Sequence, residues 1–250
     1  MVSFCLPEMI FQDVSFERDH HTAILIALRA LDGDYLMKTE CYFGRGTAIV
    51  LELGEYRKSI DIDFLCADRD GYRALRTAIA GQPDLNRLLR AGAELKCLRE
   101  VRADQYGLRT MICSQGIAIK LEIVRETRID LEGEVDPRFG VPVLSRHHMY
   151  AEKLMANSDC WYQPDVASRD ILDLSVMISR WGPVPDEAWA IAENAYGMKA
   201  REDFEKAVEK IQKPEHIESC ARKMQIDPEA IREILAVHGG AFEREPSPFD

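Results

Sequence analysis

The hydrophobic pattern of the chain changes near residue 145, and this change restricts the fold more than any other feature. Before it, short apolar runs with β-like alternation occur at 60–65, 94–101, 107–113 and 116–124. After it, apolar residues recur at helical spacing over 145–158, 165–180, 185–196, 199–212 and two shorter segments ending near residue 237. The sequence therefore predicts an α/β (α+β) protein, with an N-terminal mixed-sheet domain over 1–140 and a C-terminal helical domain over 145–250.

The segments between these runs complete the expected layout. Helical spacing of apolar residues predicts helices over 17–31 and 71–91. A short strand at 41–43 is followed by a turn that contains glycine and then by a short helix. Residues 132–142 are rich in glycine, proline and acidic residues, so they predict a linker between the two domains.

The cysteines and the apolar runs bear on the cellular compartment in which the protein is expected. The seven cysteines are scattered and form no Cys-x-x-Cys pair, which argues against a disulfide framework and favours a reducing cytoplasm. The N-terminal segment MVSFCLPEMIFQ has no basic region, and Glu8 interrupts its apolar stretch, so it is not typical of a signal peptide. No apolar run approaches the roughly 20 residues of a membrane-spanning helix. We expect a cytoplasmic protein with no membrane partner.

The charges are unevenly distributed along the chain. The formal net charge of −11 is not typical of a general nucleic-acid-binding protein, because such proteins usually have a basic surface. The middle of the chain nevertheless contains a basic run, formed by Arg87, Arg90, Lys96, Arg99, Arg102 and Arg109. Two interpretations remain open for this run, a set of solvated faces or a groove for a polyanion.

The pair Asp61 and Asp63 is the centre of the functional interpretation. Side chains two apart on a strand point to the same face, so both carboxylates project together, while Ile60, Ile62 and Phe64 are expected to point into the core. Converging carboxylates repel each other unless a cation lies between them, and such oxygen ligands suit Mg²⁺ or Mn²⁺. Asp-x-Asp also occurs by chance at solvated strand ends, so the pair alone does not establish a metal site.

The segment Gly44-Arg45-Gly46-Thr47 lies where a strand is expected to turn into a helix. Glycines at such a turn let the backbone approach a phosphate, and the N-terminus of the following helix offers free N–H groups. A plain glycine turn with a threonine cap is the alternative interpretation.

A second charged pair occurs in the run at 116–124. Strand alternation puts Lys120 and Glu122 on one face, opposite Leu121 and Ile123. A metal and a triphosphate would give this pair its partners, and so would a cross-strand salt bridge.

These segments form a known pattern. FGRGTAIVLELGEYRKSIDIDFL (43–65), followed by KLEIV (120–124), resembles the DNA-polymerase-β-like nucleotidyltransferase superfamily, with Gly-Ser/Thr, then Asp-x-Asp, then an acidic residue on a later strand. More specifically, the chain resembles the AbiEii/AbiGii toxin family of type IV toxin–antitoxin and phage-defence systems. AEKLMA (151–156) and SRDILDL (168–174) are similar to that family's helix with a lysine and its (Lys/Arg)-Asp-x-x-Asp-Leu helix. The resemblance covers about residues 20–180.

The resemblance implies a nucleotidyltransferase that moves a nucleoside monophosphate from an NTP by two-metal phosphoryl transfer with Mg²⁺ or Mn²⁺. Its catalytic metal ligands would be Asp61, Asp63 and Glu122. The nucleotide would be bound by Gly44, Gly46, Thr47, Arg57, Lys58, Lys120 and Lys153, although Arg57 and Lys58 alone also suggest a solvated turn. In the helical domain the family motif comprises Arg169, Asp170 and Asp173, and we favour a structural pairing of the two aspartates with Arg169 or Lys153.

The resemblance also implies partners. The expected acceptor is RNA, with tRNA 3′ ends the target of some relatives, and a cognate antitoxin encoded nearby is the expected protein partner. A protein or small-molecule acceptor is the first alternative, and a non-catalytic binding module with the same fold is the second. Two departures from the family pattern bear on substrate contacts: Arg45 separates glycines that are often adjacent, and Asp159-Cys160-Trp161 lies where many members have an arginine.

Overall fold

The computed structural model describes residues 11–82 and 84–239. Most of the N-terminal segment considered for a signal peptide lies outside the described residues. The helices are α1 (Asp19–Ala30), α2 (Gly33–Lys38), α3 (Arg45–Glu52), α4 (Arg69–Ile79), α5 (Arg146–Cys160), α6 (Arg169–Trp181), α7 (Asp186–Tyr196), α8 (Lys199–Ile211), α9 (Pro214–Met224) and α10 (Pro228–Val237). The strands are β1 (Cys41–Phe43), β2 (Asp61–Cys66), β3 (Lys96–Cys97), β4 (Arg102–Ala103), β5 (Gly107–Ser114), β6 (Ile117–Arg125), β7 (Gly133–Asp136) and β8 (Val141–Leu144).

The described residues form two compact units. The sheet unit contains 11–44 and 60–145, and the helical unit contains 45–59 and 146–239. The segment 45–59, which includes α3, therefore groups with the C-terminal helices although it lies early in the sequence. The expected domain limits at 1–140 and 145–250 stay a prediction.

All the named strands belong to one mixed sheet in the sheet unit, with the order β3-β5-β6-β2-β1-β8-β7 and with β4 beside β5. β2 pairs with β6 in parallel and with β1 antiparallel, and β1 pairs with β8 in parallel. The expected mixed α/β fold is confirmed. Strand β2 lies in the interior of the sheet, and its apolar residues Ile62 and Phe64 are fully buried.

The strand prediction was wrong at Ile60. This residue precedes β2 and is 48% exposed, so it does not extend the buried face formed by Ile62 and Phe64. Its carbonyl oxygen instead contacts the ring of His20 at 2.9 Å. Strand alternation applies only where the chain is paired in the sheet, and that pairing begins at Asp61.

The predicted linker at 132–142 is also wrong, because this segment contributes β7 and β8 to the sheet. β8 is buried along its whole length and pairs with β1, which explains why its apolar residues lie in the core. Gly133 permits the pairing, since a Cβ at this position would lie 2.1 Å from the carbonyl oxygen of Val143. The glycine that suggested a flexible linker is therefore required by close backbone packing.

Two other elements are shorter than predicted. α4 ends at Ile79, and Gly81 follows it with a φ of 72°, a left-handed conformation that glycine adopts readily after a helix. A single 3₁₀ turn follows at Asn86–Leu88. The run at 94–101 contributes only the two residues of β3.

The helical unit confirms the predicted helical character of the C-terminal half. α5 packs against α6, α7 and α8, and its residues Leu154 and Met155 are fully buried. α3 packs against α5 and α6. Among the described residues, no helix is long and apolar enough to cross a membrane.

Candidate functional site

The three acids implied as metal ligands lie on neighbouring strands of the sheet unit. In the parallel β2–β6 pair, Asp63 lies directly opposite Glu122, and Asp61 lies directly opposite Lys120. Adjacent strands are about 4.8 Å apart, so residues in such register are close neighbours on one face. Ile62 and Leu121 between them are buried, which confirms the predicted alternation of both strands.

Gly44 continues the row that contains Asp63 and Glu122. Its backbone N–H donates a hydrogen bond of 3.0 Å to the carbonyl oxygen of Asp63. A Cβ at Gly44 would make only ordinary contacts, at 3.4 Å from Leu144 and 3.5 Å from Leu65. Neither packing nor backbone conformation therefore requires glycine at this position.

Glu122 is engaged by two cations. Its carboxylate accepts a hydrogen bond of 3.0 Å from Arg109 Nε on β5 and lies 2.7 Å from the ammonium of Lys120. Glu122 is 12% exposed, whereas the two cationic side chains are 43% and 45% exposed. The cross-strand salt bridge that we considered for Lys120 and Glu122 is thus present, with Arg109 as a further member.

The carboxylates of the three acids do not converge tightly. Their ligand oxygens do not all lie within 4.8 Å of one another. Carboxylates repel each other, and Glu122 is drawn to Lys120 and Arg109 instead. The donor set still suits a divalent cation such as Mg²⁺, because Asp61 and Asp63 are partly exposed on one face and provide hard oxygen atoms. Such a cation would compete with Lys120 and Arg109 for Glu122.

A second group of charges forms a buried cluster in the helical unit. Arg57 donates two hydrogen bonds to the Asp173 carboxylate, with distances of 2.7 Å from Nε and 2.8 Å from Nη2. The ammonium of Lys153 lies 2.6 Å from Asp173 and 2.8 Å from Asp170. The hydroxyl of Tyr56 donates to Asp173 at 2.6 Å. We call these five residues the buried ion cluster.

Electrostatics within this cluster shifts the pKa of three of its members. Burial alone would raise the pKa of the Asp173 carboxyl, but Arg57 and Lys153 outweigh it and hold that pKa well below its usual range. Burial alone would lower the pKa of the Arg57 guanidinium, but Asp173 outweighs it and raises that pKa further. Burial and the neighbouring Asp173 together raise the pKa of the Tyr56 hydroxyl. The formal charges of the cluster balance, because Arg57 and Lys153 face Asp170 and Asp173.

The glycine turn supports this cluster. A Cβ at Gly46 would lie 2.7 Å from Nη2 of Arg57, so glycine lets the guanidinium approach the start of α3. The hydroxyl of Thr47 is buried and lies 2.7 Å from that of Ser59. Arg45, the first residue of α3, has a φ of 61°, a left-handed conformation that is unfavourable for a residue with a Cβ.

Comparison with known protein families identifies the family of this chain. The sequence profile of the family described as "Nucleotidyl transferase AbiEii toxin, Type IV TA system" matches residues 27–238. The chain belongs to the AbiEii family. It is thereby a member of a family of nucleotidyltransferase toxins, and the expected resemblance is confirmed.

Solved structures are similar to this AbiEii-family chain only at low sequence identity. JHP933 from Helicobacter pylori is 15% identical, with 82% of this chain and 100% of that chain covered and a TM-score of 0.35. An antigenic nucleotidyltransferase-like protein from Paracoccidioides brasiliensis is 14% identical, with 87% and 99% covered and a TM-score of 0.45. No curated protein is significantly similar to this chain.

The structure divides the nucleotide-binding residues predicted for this AbiEii-family chain between its two units. Gly44 and Lys120 lie in the sheet unit, whereas the helical unit contains Gly46, Thr47, Arg57, Lys58 and Lys153. Arg57 is 2% exposed and does not form a solvated turn, whereas Lys58 is exposed. Arg57 and Lys153 are already engaged by carboxylates, and their roles in nucleotide binding stay predictions.

Two members of these groups were missed by the sequence interpretation. Arg109 was assigned only to the basic run, although it alternates with Leu108, Thr110 and Ile112 and so lies on the face of β5 opposite these buried residues. Tyr56 gave no local signal, because its partner Asp173 is 117 residues away in sequence. Arg169, the remaining residue of the family motif, is exposed at the start of α6.

Proposed function

We propose that this chain transfers a nucleoside monophosphate from an NTP to RNA, with tRNA as the leading acceptor. The reaction requires Mg²⁺ or Mn²⁺, and the protein acts in the cytoplasm as the toxin of a type IV pair whose antitoxin is encoded nearby. Membership of the AbiEii family supports nucleotidyl transfer and the toxin role. The observation that supports metal dependence is the β2–β6 register, in which Asp63 faces Glu122 and Asp61 shares their face.

In this proposal the charged residues of the sheet unit have different roles in the reaction. Asp61 and Asp63 would hold a divalent metal, which would supply positive charge near the transferring phosphoryl group and lower the pKa of the attacking hydroxyl. Glu122 completes the acidic site next to the acceptor hydroxyl. The acceptor oxygen forms a bond to the α-phosphorus as the bond to pyrophosphate breaks, pyrophosphate is released, and the hydroxyl proton passes to solvent water. Lys120 offers a point charge for a phosphate on the same face.

The experiment is label transfer from each of the four NTPs, labelled at the α-phosphate, into separated RNA and protein fractions. We expect incorporation into RNA with Mg²⁺ or Mn²⁺ and none with EDTA. Incorporation only into protein would replace RNA by a protein acceptor. Absence of transfer to both fractions with either metal would favour a non-catalytic binding module.

Calorimetry tests the metal site without relying on catalysis. The double variant Asp61→Asn/Asp63→Asn should lose binding of Mg²⁺ with NTP, and in metal-free buffer it should unfold at slightly higher temperature because like-charge repulsion is removed. Asp70→Asn, which removes an exposed carboxylate from α4 of the same unit, is the matched control and should bind as wild type. Unchanged binding in the double variant would rule out this site.

A further inference from the structure

The face of the sheet that carries the three acids also carries four cations. Register places Arg102 opposite Arg109, Arg109 opposite Glu122, and Lys120 opposite Asp61. Lys96 is opposite Cys113, which alternates with Arg109 and Met111 along β5, so it lies on the same face. The opposite side of β5 is buried at Leu108, Thr110 and Ile112. We call the side with the acids and these four cations the open face.

Charge on the open face is segregated along one row. Arg102, Arg109, Glu122 and Asp63 follow one another across β4, β5, β6 and β2. With strands about 4.8 Å apart, Arg102 lies about 15 Å from Asp63. Along this row the two arginines lie towards the edge of the sheet, and the acids proposed to act in catalysis lie in its interior.

The cations at the edge need an anionic partner. Like charges directly opposite each other in a sheet are destabilising, and Arg102 faces Arg109 in this way. Asp104 lies 3.3 Å from Arg109 and offsets part of that charge. Within the described part of the chain, Lys96 and Arg102 are exposed and have no ion-pair partner. A phosphate backbone that runs along the sheet edge from Lys96 to Arg102 and then follows the row to Arg109 would neutralise all three cations.

An exposed aromatic side chain lies in the turn of the β4–β5 hairpin, whose strands carry Arg102 and Arg109. Tyr106 is 66% exposed in the turn between β4 and β5. The turn is well defined, because the Asp104 carboxylate accepts hydrogen bonds from the backbone N–H groups of Tyr106 and Gly107 at 2.7 Å and 3.0 Å. Cations that follow a backbone, together with an aromatic ring for a base, are the combination by which proteins bind single-stranded nucleic acid.

The basic run of the sequence is therefore not uniform. Arg90 hydrogen-bonds to the carbonyl oxygens of Arg29 and Gly140, which is a structural role. Lys96, Arg102 and Arg109 lie on the open face. Arg90 therefore has a structural role, whereas Lys96, Arg102 and Arg109 are exposed on a face that a polyanion can reach.

We propose that the open face binds the acceptor as a single polynucleotide strand, with its backbone along Lys96, Arg102 and Arg109, a base on Tyr106, and its reacting end towards the acids. This inference rests on the proposed function for the direction of the strand. A polynucleotide fits better than an acidic peptide because the surface combines exposed cations with an exposed aromatic ring, and among the described residues Lys96 and Arg102 have no ion-pair partner.

The test compares two double variants that each remove two exposed positive charges. Lys96→Ala/Arg102→Ala changes the open face, and Arg222→Ala/Lys223→Ala changes the end of α9 in the helical unit. The probe is a fluorescein-labelled single-stranded RNA oligonucleotide, titrated over a range of salt concentrations without NTP. We expect roughly tenfold weaker binding for the first variant, with a salt slope smaller by about 0.7 for each phosphate that is no longer neutralised, and no change for the second.

The aromatic contribution has its own matched set. Tyr106→Ala should weaken RNA binding about fivefold or more, whereas Tyr106→Phe keeps the ring and should bind as wild type. Tyr162→Ala removes a tyrosine of similar exposure, 61%, from the helical unit and should have no effect. If Tyr106→Ala binds RNA as tightly as wild type does, stacking of a base on Tyr106 is ruled out.

Transfer assays on the same variants separate the inference from the function. If wild type labels RNA, the open-face variant should raise the KM for RNA and leave the KM for NTP unchanged. An open-face variant that binds and labels RNA as the α9 variant does would overturn the acceptor face while leaving the function intact. If wild type labels neither fraction, the proposed function fails, and weaker RNA binding by the open-face variant alone would still support the face. Labelling of protein alone would overturn the polynucleotide as its occupant.

Discussion

The sheet unit and the helical unit each contain a charged group built around two closely spaced aspartates, and they differ in burial and balance. In the buried ion cluster Asp173 is fully buried, and two cations match the charges of Asp170 and Asp173. In the sheet unit Asp61 and Asp63 are partly exposed, and two half-exposed cations engage Glu122.

The difference indicates that the buried ion cluster has a structural role, whereas the partly exposed acids of the sheet unit are suited to bind a metal. Burying a charge is costly unless it is paired, and a buried pair that loses one partner leaves the other uncompensated. The buried ion cluster therefore ties 45–59 to α5 and α6. Clustered carboxylates that remain partly exposed can still exchange partners, which a metal-binding site requires. The predictions below test this distinction.

The largest expected effect is on catalysis. Asp63→Ala should lower nucleotide transfer by roughly 10³-fold or more, because loss of a metal ligand removes several kcal/mol of transition-state stabilisation. The fold should be retained, since the apolar side of β2 at Ile62 and Phe64 is unchanged. Label incorporation and a thermal melt measure the two effects.

Asp70→Asn is the control for this prediction, because it removes an exposed carboxylate outside the acidic row. It should transfer at the wild-type rate. Wild-type transfer by Asp63→Ala would show that Asp63 on β2 is not catalytic in this chain, even though the family consists of nucleotidyltransferases.

The next effect is on stability. Asp173→Ala should lower the free energy of unfolding by about 3–5 kcal/mol, because Arg57 and Lys153 would keep their charges with a carboxylate removed. Urea denaturation measures it. Glu202→Ala removes an exposed partner of Lys206 and should change stability by less than about 0.5 kcal/mol. Equal effects of the two substitutions would contradict the role assigned to the cluster.

The same carboxylate predicts a pH dependence. The pKa of Asp173 is lower in the folded protein than the unfolded value of about 3.9, so its contribution is present above that pH and is lost as the pH falls below it. The difference in unfolding free energy between wild type and Asp173→Asn should be constant from pH 7 to 5. It should then narrow by up to about 1.4 kcal/mol per pH unit below pH 4. A constant difference down to pH 3 would contradict a depressed pKa.

The sequence predicted the sheet site better than the buried ion cluster, for a physical reason. Alternation along a strand is local, so the shared face of Asp61 and Asp63, and that of Lys120 and Glu122, could be predicted from spacing alone. Register between β2 and β6 could not, because it depends on packing between distant segments.

The buried ion cluster depends almost wholly on such distant contacts. Arg57 lies in a polar segment next to Lys58 and Ser59, where local sequence favours a solvated turn. Its partner Asp173 is 116 residues away, and only the tertiary fold buries the pair. The error over β7 and β8 has the same origin, because Gly133 is explained by a backbone contact rather than by local flexibility.

The two glycines of the turn sharpen the comparison, because they belong to different units. Gly46→Ala should lower the free energy of unfolding by about 1–2 kcal/mol, since its Cβ would press on Nη2 of Arg57, which Asp173 holds in place. This cost should exceed the gain of up to about 1 kcal/mol from alanine in a helix. Gly44→Ala makes only ordinary contacts and should change stability by less than about 0.5 kcal/mol. A larger loss of unfolding free energy for Gly44→Ala than for Gly46→Ala would contradict the conclusion that close packing requires glycine only at position 46.

The smallest expected effect is at Arg45, where the chain departs from the glycine pair of many relatives. Its φ of 61° is a left-handed conformation that costs about 1–2 kcal/mol for a residue with a Cβ. Arg45→Gly should therefore raise the free energy of unfolding by about 0.5–1 kcal/mol, after the greater chain entropy of glycine is subtracted. Gly54 follows the same helix with a φ of 74°. Gly54→Ala should lower the free energy of unfolding by about 1 kcal/mol through this backbone conformation alone, because the added Cβ would meet no close neighbour. Urea denaturation measures both changes in unfolding free energy. Opposite signs for the two substitutions would support backbone conformation as the cause of both. Destabilisation by Arg45→Gly would instead show that the arginine side chain stabilises the helical unit by more than the conformation costs.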